Sequence, residues 1–126
     1  PYVKAMTEAD KLQQKARKLR LEEQPLLERD ARLAPNNAAI HHRLGMSRYL
    51  NDDLEGAEVS LRRAVELQDD SPRYVLMLAL LLEKREKFNE ALPVAQRLTE
   101  LVPDNPGYEQ VLENIRRLVT AGPSQP

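Results

Sequence analysis

The sequence predicts an all-α solenoid of antiparallel helix pairs, about seven helices in all. Three observations predict it. Residues of like kind recur every 34 positions: Leu33, Leu67 and Leu101; Asn37, Ser71 and Asn105; Ile40, Tyr74 and Tyr108; Leu27, Leu61 and Ala95. Within each period, apolar residues alternate steps of three and four, the spacing of one helix face. Turn and cap residues stand where one helix must stop and the next begin. A unit of this size cannot bury its apolar face alone, so such units stack.

The N-terminal third, 4–37, reads as a worn copy of the unit. LEEQPLLERDARLAPNN aligns with NEALPVAQRLTELVPDN through Pro25/Pro93 and Pro35/Pro103, and so reads as the second helix of a pair. Pro25 and Pro93 are expected in a first helical turn, where proline costs little. Upstream, Ala5, Ala9, Leu12, Ala16 and Leu19 form a narrow seam near coiled-coil spacing. That seam is expected on the first helix of the worn pair, with one longer helix docking elsewhere as the alternative.

The unit 38–71 follows. AAIHHRLGMSRYL is one helix, NDD a turn, and LEGAEVSLRRAVEL a second helix, with Leu54, Ala57, Leu61, Ala64 and Leu67 on its inner face. The unit 72–105 repeats the pattern as RYVLMLALLLEK, REK and FNEALPVAQRLTEL. Asn37, Ser71 and Asn105 are expected N-caps, since their side chains can accept from free amides of the first turn. PGYEQVLENIRRLV, 106–119, carries Tyr108, Val111, Leu112, Ile115, Leu118 and Val119 as the stripe of a capping helix. The remainder, 120–126, is expected to be a loose tail.

Bulk properties fit a single domain over 1–126. Hydrophobic residues make up 41%, charged residues 31%, and the net charge is −1, a globular balance without a global positive field. Aromatics are 4% with no Trp, so platforms for base stacking are scarce. The absence of cysteine removes disulfides, thiolate metal sites and cysteine nucleophiles, and leaves the compartment open. PYVKAMTEAD has neither an initiator Met nor the apolar core of a signal peptide, so the chain reads as part of a longer protein of unknown localisation. The apolar run Val75 to Leu82 is far short of the roughly 20 residues that span a bilayer.

These residues resemble the tetratricopeptide repeat, a 34-residue helix–turn–helix unit. His41, Leu44-Gly45 and Arg48-Tyr49 occupy the signature places of one first helix; Val75, Leu78-Ala79 and Leu82 occupy those of the next. Leu54, Ala57, Leu61 and Ala64, then Phe88, Ala91, Ala95 and Leu98, match the second helices, and Pro103 follows. Asp52 and Glu86 stand where the family places a turn glycine. The resemblance implies a right-handed superhelix whose concave face holds an extended peptide or a helix.

On a helical wheel Val75, Leu78, Ala79 and Leu82 share one sector, which should pack on the second helix of the unit. Leu76, Leu80 and Arg73 fall outside it and by resemblance face the groove. His42 and Met46 are the equivalents one repeat earlier, and Tyr49 and Glu83 extend the line. The expected partner-binding groove is therefore His42, Met46, Tyr49, Arg73, Leu76, Leu80 and Glu83. The Lys and Asn residues with which one subgroup clamps an acidic tail are replaced here by His42, Met46 and Met77, so an apolar protein or peptide ligand is expected. The alternative is an oligomerisation module whose groove is filled by its own terminal helix or by a second copy.

No catalytic residues, metal ligands, cofactor or small-molecule substrate are expected. His41 and His42 point about 100° apart on a helix and cannot grip one metal from one face. The four serines lack a nucleophile elbow, and the four glycines form no phosphate loop. Asp52-Asp53 and Asp69-Asp70 sit at turns and helix starts, where carboxylates cap amides. Lys11 to Arg20 carries five basic residues and no acid, which leaves a nucleic-acid adaptor as a minor alternative. The flanking Glu8, Asp10, Glu22 and Glu23 dilute that charge and favour a solvated helix face.

Overall fold

The computed structural model describes residues 5–122. Six helices form the described part: α1 (Glu8–Leu33), α2 (Ala38–Leu50), α3 (Leu54–Leu67), α4 (Pro72–Lys84), α5 (Phe88–Leu101) and α6 (Pro106–Ala121). Three-residue turns join α2 to α3 and α4 to α5, so each pair packs as antiparallel neighbours.

Side-chain caps set most helix starts. Asn37, Ser71 and Asn105 accept from the amides of Ile40, Tyr74 and Tyr108 at 3.1, 3.3 and 3.0 Å. Thr7 and Asp10 form a reciprocal capping box at the start of α1. Asp52 and Glu86 both take left-handed backbone, with φ of 68° and 58°. A residue in that conformation crowds its Cβ against the following carbonyl, which is the place a glycine would relieve.

The N-terminal segment departs from the expected helix pair. Residues 8–33 are one continuous helix of 26 residues. The 68-residue offset that matches Pro25 to Pro93 also matches the end of α1, Leu33, to the end of α5, Leu101. The last part of α1 thus takes the place of a second helix. The turn of the pair would fall at 17–19, which reads Arg-Lys-Leu. All three propagate a helix well, so nothing there breaks it. Pro25 and Pro93 lie inside their helices rather than in the first turn. Each leaves the carbonyl four residues earlier without its amide partner. The C-terminal tail is shorter than expected, because Thr120 and Ala121 continue α6 and Gly122 caps it. Residues 123–126 of the expected tail lie outside the described residues.

The core joins α3, α4, α5 and α6 through Ala57, Leu61, Leu78, Ala79, Leu81, Leu82, Ala91, Ala95 and Ile115. Val75, Leu78, Ala79 and Leu82 are buried, as their shared sector requires. Leu81 is buried too, on the flank of that sector, because α4 touches α3, α5 and α6 at once. This explains most of the unbroken apolar run: a helix flanked on three sides needs more than one stripe. Leu76 and Leu80 alone of its leucines stay outside the buried set.

Candidate functional site

The expected groove residues do not form one continuous pocket. His42, Met46 and Arg73 line a cavity of about 280 Å³ together with Arg20, Glu23, Arg43, Ser47 and Leu50. Glu83 lines a second cavity of about 440 Å³ with Asn114, Arg117, Leu118 and Ala121 of α6. The capping helix therefore stands at that end of the line. Tyr49 packs half-buried against the core, and Lys84 Nζ lies 4.9 Å from its ring centroid. Leu76 is half-buried and Leu80 is 37% exposed.

His42 is the main change from expectation. It is 3% exposed rather than facing solvent. Its ring stacks on Tyr74 at 4.6 Å between centroids, which ties α2 to the start of α4. Burial, and then the Arg73 guanidinium, hold the imidazole below the usual histidine range. His42 Nδ1 and Ser47 Oγ are buried without a hydrogen-bond partner in the protein, as is Arg20 Nε. Ser47 stands 34 residues before Leu81, so a hydroxyl occupies the place of a core leucine.

Arg20, Arg43 and Arg73 make no ion pair with any described residue, while Glu23 is the one carboxylate on the cavity wall. Three arginines and one glutamate line the cavity, an excess of positive charge. Wheel reasoning missed Arg43, Ser47 and Leu50. The signal was present: 42, 43, 46, 47 and 50 share one face of α2. Arg20 was missed because the first helix of a worn pair was expected where α1 runs straight on.

His41 sits on another face, where its Nε2 donates to the Pro35 carbonyl at 2.8 Å. Among the described residues, no three His, Asp or Glu side chains come together to hold a metal ion. No described helix is long and apolar enough to cross a membrane.

No protein-family model and no curated protein sequence matches the chain. Solved structures do. The first TPR of Spaghetti (RPAP3) bound to the HSP90 peptide SRMEEVD superposes with a TM-score of 0.74 at 17% identity, over 83% of each chain. MamA does so with a TM-score of 0.76 at 18% identity, over 93% of this chain and 67% of its own. The Yersinia enterocolitica type III secretion chaperone SycD, in complex with a peptide of the translocator YopD, gives 0.61 at 17% identity, over 91% and 95%. With six helices in the described residues and this likeness, the chain has the tetratricopeptide-repeat fold, a right-handed α-solenoid of helix pairs.

Proposed function

We propose that the chain is a non-catalytic protein–protein interaction module that holds a peptide or helix against α2 and α4. The observation that carries this reading is the juxtaposition of an apolar ledge and an unpaired basic cavity. Leu76 and Leu80 supply the ledge on α4. Met46 and Arg73, beside Arg20 and Arg43, supply the cavity wall. An apolar side chain of the ligand loses water on the ledge, and methionine lets such a surface adapt. An acidic side chain of the same ligand enters the cavity and fixes direction by charge-assisted hydrogen bonds to the guanidinium groups. Two of the superposed structures contain bound peptides, which supports the mode without naming a partner.

The test is fluorescence polarisation with a set of short labelled peptides, each pairing leucine anchors with or without a glutamate. Peptides with both features bind the chain. Leu76→Glu/Leu80→Glu weakens them at least tenfold, since each lost apolar anchor costs about 1–2 kcal/mol. Arg73→Glu weakens only the acidic set. A peptide that binds wild type and the Leu76→Glu/Leu80→Glu variant equally well ends the proposal for this face.

A further inference from the structure

The proposed peptide surface leaves the leucines of the N-terminal helix unexplained. Leu12, Leu19, Leu26 and Leu33 repeat every seven residues along α1, and all are between 56% and 75% exposed. Ala9 and Ala16, also exposed, complete the same face at coiled-coil spacing, followed by Glu23 and Asp30. From residue 5 to residue 19 every side chain is exposed, so this part of α1 stands off the solenoid. Further along, α2 covers a different face of the helix: Leu27 is buried, Gln24 receives a hydrogen bond from Asn51, and Glu28 pairs with Arg48 at 3.9 Å. Pro25 points away from the leucine face, so it does not interrupt it. A helix about 39 Å long with a bare leucine stripe is a surface built for another helix.

We infer that α1 pairs antiparallel with α1 of a second copy of this chain. Charge selects both the occupant and the direction. Residues 11–20 carry five bases and no acid, whereas 22–30 carry Glu22, Glu23, Glu28 and Asp30 against Arg29 alone. An antiparallel copy sets the basic half of each helix beside the acidic half of the other. A parallel copy would set Glu23 on Glu23 and Asp30 on Asp30 across the seam, and Lys15 near Arg20.

One antiparallel register matches small residues to large ones. In it, Ala9 meets Leu26 of the second copy and Ala16 meets Leu19, while Leu12 meets Glu23 in the layer between them. The flanking positions then pair Lys15 with Glu22 and Glu8 with Arg29, each twice by symmetry. Shifting by seven residues in one direction opposes Glu22 to itself and Lys15 to Arg29; in the other it opposes Lys15 to itself and Glu8 to Glu22. Glu8 is already 3.3 Å from Lys11 within its own helix, but that exposed pair is weak and yields readily. Lys15 and Glu22 have no ion-pair partner among the described residues.

Light scattering on the full chain during size-exclusion chromatography, over a concentration series, tests this. Wild type passes from monomer to dimer. Lys15→Glu and Glu22→Lys each raise the dimer dissociation constant roughly tenfold, because two attractive pairs become repulsive. Lys15→Glu/Glu22→Lys restores it to near wild type, a recovery only the antiparallel register provides. Leu19→Glu stays monomeric with an unchanged circular-dichroism melt, since Leu19 is exposed in the monomer. Leu76→Glu/Leu80→Glu dimerises normally, which separates this surface from the peptide ledge. A wild type that is monomeric throughout, a Leu19→Glu dimer, a double charge variant no tighter than the singles, or a dimer lost with Leu76 and Leu80 each overturns the inference.

Discussion

The Glu58 carboxylate on α3 accepts a 2.6 Å hydrogen bond from Arg85, the residue that closes α4. Arg62 Nε and Lys87 Nζ donate to the same carboxylate at 2.8 and 3.2 Å, and Arg62 reaches on to Glu90 at 2.8 Å. One acidic side chain thus ties α3 to the turn between α4 and α5. Burial pushes the carboxyl up, but the hydrogen bonds from Arg62 and Lys87, with their charges, outweigh it and hold it below the usual range. Lys87 caps α5 without a side-chain hydrogen bond to its amides, so this network is what anchors that turn.

Glu58→Gln should therefore destabilise the chain by about 2 kcal/mol. Breaking a buried pair costs about 3–5 kcal/mol, and partial exposure of the three cations reduces that. The carboxyl is depressed in the folded state, so its contribution is complete above the unfolded glutamate value. It is lost as pH falls through the folded one. Urea titration at neutral pH measures the effect. A midpoint within error of wild type would show that water serves the cations equally well.

Gly45 on α2 is fitted to Leu61 on α3. A Cβ placed at Gly45 would lie 2.7 Å from both Leu61 Cγ and Cδ2, and 3.3 Å from the Leu61 amide nitrogen. Leu61 is fully buried and cannot swing aside. Thirty-four residues on, Ala79 and Ala95 hold the same two places, so glycine faces leucine in one unit and alanine faces alanine in the next. Gly45→Ala should cost about 1–3 kcal/mol by overpacking, despite the better helix propensity of alanine. Leu61→Val should recover part of that loss in the double variant. A denaturation double-mutant cycle that returns simple additivity would disprove the direct contact.

The helix ends of α2 to α6 were legible because local chemistry agrees with the period. Asn37, Ser71 and Asn105 cap where the 34-residue step places them, and Pro72 and Pro106 open their helices. The straight run of α1 was obscured by reading Pro25 as a boundary. A proline inside a helix costs about 3 kcal/mol, a sum that a helix of 26 residues can absorb. The heptad of Leu12, Leu19, Leu26 and Leu33 runs through it and was the better signal. The groove was legible only in part. Carrying a wheel sector from α4 back to α2 put Met46 and Arg73 on one expected face, and both line the same cavity. It could not foresee that Tyr74 would cover His42, because that stack joins two helices from different repeats. Contacts between repeats depend on superhelical twist, which no single helix encodes.

The buried imidazole makes stability depend on pH. His42 is covered by Tyr74 and lies on the cavity wall with Arg20, Glu23, Arg43 and Arg73. Its folded-state value is lowered by burial first and by Arg73 second. As pH falls, the unfolded chain therefore binds a proton at this position before the folded chain does. Stability from this group is complete above about pH 6.5, the ordinary histidine value. It declines as pH falls from there to the folded value, and stays lost below it. The melting temperature should hold steady from about pH 8 to 7 and drop as pH falls below about 6.5. His42→Phe keeps a ring on Tyr74 and should flatten that part of the profile. A variant with the wild-type slope would assign it to other groups. A bound acidic peptide offers an independent check, because a carboxylate beside Arg73 offsets the charge that disfavours protonation. The His42 ring-proton shift in an NMR titration should then move to higher pH on binding, and should not move with a peptide that lacks the glutamate.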